Sequence, residues 1–253
     1  ISDLQTYMIT GTYNLAGFAG ETLALSAQII DLCLTLEWSC SDTTIHRQPK
    51  RQHINIDRHA HCGGGCSGNP YDQSWVLSPF GWGETHEIGH NLQRSRLKIY
   101  DAKSTEVSNN IFPLYKGWQR YQDTQEVLEY CSSRPKSEAA FNMLVAAQSS
   151  EAPKAAVFDS LWSQTGIYDN AFERLAFYSQ IAQAAHGSDR FAHGWEVFTL
   201  MYLHERLFSN AIKSDQTWIS EKNKLGFGTY DDIPSSISAN DFFLISDEKT
   251  LKT

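Results

Sequence analysis

The chain has 253 residues, 41% of them hydrophobic and 12% aromatic, with a formal net charge of −8. That length suits one large domain or two lobes sharing a cleft, with roughly 70–75% of the unfolded surface buried on folding. The acidic balance, with no Lys/Arg cluster, argues against a nucleic-acid partner, whose phosphates favour a basic face. No apolar run approaches the ~20 residues that a membrane span needs.

The chain opens at Ile1 with no signal-peptide pattern and reads as a piece of a longer, exported precursor. Residues 2–36 read mostly as helix, broken near Gly11 and Gly17–Gly20. From Glu21 to Leu36 apolar residues fall at helical spacing, and Ser26, Gln28, Asp31 and Thr35 mark the run as a core-facing helix. "HINID" (53–57) alternates like a short strand. "HCGGGCSGNPYD" (61–72) reads as loop, because three consecutive glycines and an Asn-Pro disfavour any regular element. The five cysteines form two close pairs, Cys33 with Cys40 and Cys62 with Cys66, and leave Cys131 over. This pattern suggests an oxidising compartment, two short disulfide loops and one free thiol.

A helix is predicted from near Gly83 to about Leu92, and a second from Ser104 through Glu106 towards Ile111, ended or turned by Pro113. The C-terminal half is helix-rich, most clearly over 167–186 and 189–209. In the latter, Phe191, Trp195, Phe198 and Tyr202 share one helical face, a core stripe. From 210 onward strand or loop signals return.

The chemistry concentrates in "GWGETHEIGHNLQ" (81–93). On a helix, His86 and His90 lie one turn apart on one face and can bind one metal ion. A bound metal lowers the pKa of a water, and Glu87 is placed to take its proton. Two imidazoles and one carboxylate suit a single Zn2+ ion. Asp101 and Glu106 are the downstream candidates for the third ligand. Glu106 is favoured because it opens "EVSNN", a segment able to form the next helix, whereas Asp101 falls in loop. Asn110, one turn further, would hold a ligand in place. Gly89 would let another segment pack close behind the metal helix.

With these residues the chain resembles the M60-like, enhancin-type metallopeptidases, whose pattern is H-E-x-x-H followed by a Glu after a gap. "HEIGH", fifteen residues and Glu106 meet it. "CSGNPYD" (66–72), "EVSNNIFPLY" (106–115), "YNLAGFAGETLALSAQII" (13–30) and "NDFFLIS" (240–246) are similar to the subgroup of secreted bacterial peptidases that degrade mucins and O-glycoproteins. The resemblance implies His86, His90 and Glu106 as zinc ligands and Glu87 as general base. It implies an α+β, zincin-like fold: a small sheet-containing N-terminal lobe, the metal helix and a helix-rich C-terminal lobe. The whole of 1–253 is then one catalytic domain, with lobes of roughly 1–112 and 113–253 around a cleft. The family's domain usually continues past the point where this chain ends.

Further candidates surround this centre. Trp82 would lie at the mouth of the site and stack on a sugar ring, or fix helix entry. Tyr71 and Asp72 of the Gly-rich loop would line the cleft. Tyr202, His204 and Arg206 are candidate oxyanion or substrate-carboxylate partners, and Arg120 is unplaced. His46, His53, His59 and His61 with Cys62 and Cys66 raise a second zinc site, but their spacing matches no common structural one. The expected function is a secreted or cell-surface zinc endopeptidase acting on O-glycosylated, mucin-like proteins. Its rivals are a mucin- or glycan-binding module of an adhesin with a structural or vestigial zinc site, and a zinc peptidase with no glycan requirement. Oligomeric state is not legible.

Overall fold

The computed structural model describes residues 26–40, 54–56, 64–68, 71–76, 78, 80–148, 161–162 and 168–252. These residues fall into two compact units. The first takes those within Gln52–Gln93 and Tyr100–Gln180, the second those within Tyr13–Arg51, Arg94–Ile99 and Ile181–Thr253. The units are therefore interleaved along the chain, which changes unit at 93/94, 99/100 and 180/181 as well as before 52. Among the described residues the architecture is mainly helical with one small sheet, the α+β class expected.

The sheet belongs to the first unit. It has three strands, β1 (Ile54–Ile56), β2 (Gly65–Cys66) and β3 (Tyr71–Gln73), in the order β1-β3-β2. β1 runs parallel to β3, with Ile54 opposite Tyr71, and β2 runs antiparallel to it, with Cys66 opposite Asp72. The strand expected over 53–57 is present. The loop expected over 61–72 needs correction, since it holds β2 and the start of β3. Hydrogen bonds to the central strand supply what local propensity withholds, and Ser74 N–H donates to Gly64 O at 2.9 Å to close the turn.

Helix α1 (Ala27–Thr35) starts on Ser26, whose Oγ accepts from Ile29 N–H at 3.1 Å. α2 (Trp82–Leu92) carries the H-E-x-x-H motif and lies against β2 and β3. A 3-10 turn, Asp101–Ser104, leads into the short α3 (Thr105–Ser108), and α4 follows over Ile111–Thr124. The single helix expected over 104–111 is thus two, because Glu106 leaves helical geometry (φ −91°, ψ 16°), the Asn110 side chain bonds back to Glu106 O, and the Asn109 side chain donates across to His86 O on α2. Pro113 neither ends nor turns a helix. It sits in the first turn of α4, where a missing N–H costs nothing. α5 (Glu129–Ser133) and α6 (Ser137–Gln148) continue the first unit, and α7 (Ala171–His186) begins in it and ends in the second.

α2 and α4 meet at Gly89. A methyl group there would lie 2.7 Å from the backbone O of Asn109 and 3.0 Å from Phe112 Cδ2. The close approach expected of this glycine is therefore observed. A backbone oxygen cannot rotate aside, so Gly89→Ala is expected to destabilise the protein. Overpacking of this kind costs about 1–3 kcal/mol, more than the ~1 kcal/mol of helix propensity gained. Thermal unfolding should show a Tm lower by a few degrees; an unchanged or raised Tm would mean the two helices can part freely.

The second unit is built on α8 (Glu196–Ala211), in which every residue from Glu196 to Phe208 is buried. Its charges are paired: Glu196 Oε2 accepts from Ala192 N–H at 2.7 Å, and Glu205 faces Arg96 at 2.7 Å and Arg94 at 3.6 Å. The helix starts at 196, not 189, so Phe191 and Trp195 of the expected stripe precede it; Phe198 and Tyr202 are core as expected. Beyond 210 the loop expected is found over 222–238, but two helices that were not expected flank it, α9 (Asp215–Glu221) and α10 (Ala239–Asp247), the latter followed by a π-helical turn. Ser214 and Ser238 cap these helices by accepting from Thr217 N–H and Asp241 N–H. The Cys33–Cys40 disulfide ties the end of α1 to the Trp38 segment.

His204 is fully buried in this core. It stacks on Trp38 and Phe242, each 5.1 Å away, and its Nε2–H donates to Leu225 O at 2.9 Å. Burial pushes its pKa down to about 4. The folded state keeps it neutral where the unfolded chain, near 6.5, takes up a proton. Stability is therefore full above pH 6.5 and falls as pH drops towards 4, by on the order of 3 kcal/mol from this group. Burial lowers His193 too, which acts in the same direction. Urea unfolding across pH 7.5 to 4.5 should show the loss, and His204→Phe should flatten it; an equally steep profile in that variant would assign it to other groups.

Candidate metal centre

α2 begins at Gly81, which offers no side-chain cap. Glu84 folds back instead, accepting from Ser78 N–H at 2.6 Å and placing its carboxylate at the positive end of the helix. Thr85 Oγ1 donates to Gly81 O at 3.2 Å and accepts from the buried Lys116 Nζ at 2.9 Å. Burial lowers the Lys116 amine to about 7, against the pull of Glu84. These contacts hold the first turn of α2, from which His86 and His90 project on one face.

α3 brings Glu106 to that face. Its Oε2 lies 3.1 Å from His86 Nε2 and 3.5 Å from His90 Nε2. The three donor atoms all lie within 4.8 Å of one another. Each imidazole is held from behind. His86 Nδ1 meets Asn110 Oδ1 at 2.7 Å, and His90 Nδ1 meets Gln93 Oε1 at 3.0 Å. Both Nε2 atoms thus turn towards Glu106, the arrangement a metal-binding imidazole adopts. Asn109, fully buried, donates to His86 O at 3.2 Å and stands 3.1 Å from His90 Nε2.

Glu87 stands beside this group, its Oε1 4.0 Å from His86 Nε2. Burial raises its pKa; His86, His90 and the backbone N–H of Ser67 oppose that, and Glu106 adds to it. For Glu106 burial likewise pushes upward, but hydrogen bonds from His86 and His90 outweigh it and hold the carboxyl at about 2. The centre so contains one carboxylate kept ionised and a second drawn towards protonation. This is the separation of roles that ligand and proton-transfer chemistry require.

The sequence profile of the family described as Peptidase M60, enhancin and enhancin-like matches residues 19–216. The chain belongs to the peptidase M60 family. An M60 relative, the immunomodulating metalloprotease of Pseudomonas aeruginosa, is 42% identical over 252 residues, covering 97% of this chain. The chain spans about a quarter of that protein, 26%. A solved structure of the IMPa metallopeptidase from Pseudomonas aeruginosa is 40% identical, with a TM-score of 0.83 over 98% of this chain and 28% of its own. IMPa in complex with an O-glycopeptide gives 0.82 and 41%, and in complex with T-antigen 0.83 and 41%, each covering 98% of this chain and 29% of that one. The M60 assignment implies a divalent metal, and His86, His90 and Glu106 are a donor set that fits one.

Of the other residues singled out in the sequence, Asn110 stands where expected, against His86. Asp101 is exposed and lies outside the donor group. Tyr71 and Asp72 are buried in β3; the Tyr71 hydroxyl donates to Gln73 Oε1, and burial, with the charges of Glu84, Glu87 and Asp72, raises its pKa. They support the site from beneath rather than lining it. Trp82 packs edge-on against Tyr130 and Phe172, with the Arg134 guanidinium 4.4 Å over its ring. That is the helix-entry role rather than an open sugar face. Tyr202, His204 and Arg206 are buried in the core of the second unit, whereas every residue of the metal centre belongs to the first. Arg120 pairs with Glu126 at 2.7 Å and lies over Phe80. Cys66 is disulfide-bonded. Cys62, His46, His53, His59 and His61 lie outside the described residues. Cys131 is a free thiol, as expected.

Four residues escaped the sequence reading. Gln93 and Asn109 join the ligands to their supports. Trp75, half-exposed, borders Gly65 and Gly83: a methyl group on Gly65 would run into its ring and lie 3.3 Å from Glu87 Cγ. Tyr168 is 71% exposed, and its phenol feels the charges of Glu106 first and Glu87 also, which raise its pKa. Only Gln93 carried a local signal, three residues beyond His90 and so one turn away.

Proposed function

We propose that the chain is the catalytic part of a secreted zinc endopeptidase that cleaves O-glycosylated, mucin-like proteins. The observation that carries the peptidase reading is the convergence of His86 Nε2, His90 Nε2 and Glu106 Oε2 with Glu87 beside them. Zinc suits two imidazoles and a carboxylate. Bound there, it supplies a Lewis acid for the scissile carbonyl and lowers the pKa of the attacking water.

The chain's own residues do the rest. Glu87 takes the water's proton as its oxygen attacks the carbonyl carbon, then passes that proton to the amine as the C–N bond breaks. Tyr168, an exposed phenol whose pKa the charges of Glu106 and Glu87 raise, is the candidate donor to the carbonyl oxygen as it gains charge. Tyr168→Phe should then lower kcat by about 100-fold, with KM little changed. A variant with native kcat would remove Tyr168 from the mechanism.

Two observations support the glycoprotein substrate. Homologous IMPa structures hold an O-glycopeptide and T-antigen, and Trp75 offers an indole beside Glu87 on which a sugar's C–H face can stack. The disulfides at Cys33–Cys40 and Cys66 fit an oxidising, extracytoplasmic compartment. The test is one synthetic peptide made with and without a single GalNAc on Thr, incubated with the zinc-loaded protein and read by mass spectrometry. Cleavage of the glycosylated form alone is expected. Cleavage of both forms would leave a zinc peptidase without glycan requirement, and binding without cleavage would favour the glycan-binding module.

A further inference from the structure

We infer that Gln93 is a positioning residue of the metal centre, locking the tautomer of His90 and tying it to the turn that carries Glu106. The inference rests on the zinc-peptidase reading above. It is carried by the hydrogen bonds of one side-chain amide.

α2 ends at Leu92, and Gln93 caps it with extended backbone (φ −56°, ψ 144°), which turns its side chain back along the helix. There the two ends of the amide meet different elements. Oε1 lies 3.0 Å from His90 Nδ1. Nε2 lies 2.8 Å from Thr105 O, 2.8 Å from Ser108 Oγ and 3.5 Å from Ser104 O. Ser108 Oγ itself donates to Ser104 O at 3.2 Å, so it is an acceptor towards Gln93.

This surrounding decides which way the amide points. Flipped, its oxygen would face two backbone carbonyls, and its NH2 would face His90 Nδ1. In the orientation found, Oε1 must accept from a protonated Nδ1. Once Nε2 gives up its proton to make room for the metal, the neutral imidazole carries its lone pair there, on the side of Glu106 Oε2. Gln93 thereby selects the metal-binding tautomer and fixes the ring plane.

Asn110 does the same for His86, with Oδ1 on Nδ1 at 2.7 Å and Nδ2 on Glu106 O at 2.8 Å. Each imidazole is thus joined through one neutral amide to the backbone of residues 105 and 106. The chain needs such a link because His90 and Glu106 are separated by a segment, Arg94–Ile99, that packs in the second unit. An amide also adds no charge to a centre that already holds Glu87 and Glu106.

The test compares wild type, Gln93→Leu and Gln93→Asn in three measurements: zinc affinity by chelator competition, the visible spectrum of the Co(II)-substituted protein, and the Tm of the metal-free protein. Leu removes both hydrogen-bonding ends. Asn keeps the chemistry but is one methylene too short to span both partners. Zinc affinity is expected to fall by about 10–100-fold in each, with altered Co(II) bands and a metal-free Tm close to wild type. Native affinity and spectrum in either folded variant would overturn the inference. So would an affinity loss matched by collapse of the metal-free Asn variant, which would make Gln93 a packing residue. A wild-type protein that takes up no zinc would overturn the peptidase reading itself, and this inference with it.

Discussion

Glu87→Gln is expected to leave zinc bound and to reduce cleavage of the glycopeptide by about 100- to 10,000-fold. The exchange is nearly isosteric, so α2 and both imidazoles stay in place. What is lost is the group that accepts the water's proton. Glu87 suits that task for a reason visible in its surroundings: burial makes its charged form costly, and Glu106 nearby adds to the cost. An amide cannot take a proton at any accessible pH. The measurement is kcat/KM on the glycopeptide together with metal content of the same sample. A Gln variant that keeps full metal and full turnover would exclude Glu87 as the base; loss of the metal along with activity would make it a structural group instead.

Glu106→Ala is expected to weaken zinc binding by more than the 10–100-fold that loss of an outer hydrogen-bonding partner costs, and to abolish turnover at ordinary zinc concentrations. Its carboxylate is the one ligand held ionised at neutral pH, and its Oε2 is the atom both Nε2 atoms face. Removing it leaves two imidazoles that cannot complete a three-ligand site. Chelator competition on the purified variant measures the change. Wild-type affinity would move the third ligand elsewhere and reopen Asp101, although that residue is exposed and stands apart from the donor group.

Local pattern leaves open which faces of an element the rest of the chain covers. Of the stripe expected from Phe191 to Tyr202, Phe191, Phe198 and Tyr202 are core and Trp195 is only half-buried, while His204 and Arg206, candidate substrate partners by sequence, are buried on the same helix as Phe198 and Tyr202. Periodicity says which residues share a helix face, not how many faces are covered, and α8 is covered on all of them. Trp82 is open in sequence between a sugar platform and a helix-entry residue, because only its distance from His86 is legible there, while the Arg134, Tyr130 and Phe172 that enclose it come from distant segments. The helices beyond 210 were missed although Ser214 and Ser238 are ordinary N-caps; their short apolar stretches fit either period.

The sequence by itself determined the H-E-x-x-H half of the candidate metal centre. The i, i+4 histidines and the intervening Glu87 are local relations, and a 3.6-residue helix converts them directly into geometry. Only the tertiary structure decided the rest. It brought Glu106, and not Asp101, beside His86 and His90, placed Gln93 and Asn109 against those imidazoles, put Trp75 near Glu87 and buried His204 in the core of the second unit. These are contacts between segments far apart in the chain, and which segments meet is settled by burial of the whole apolar surface at once rather than by any window of residues.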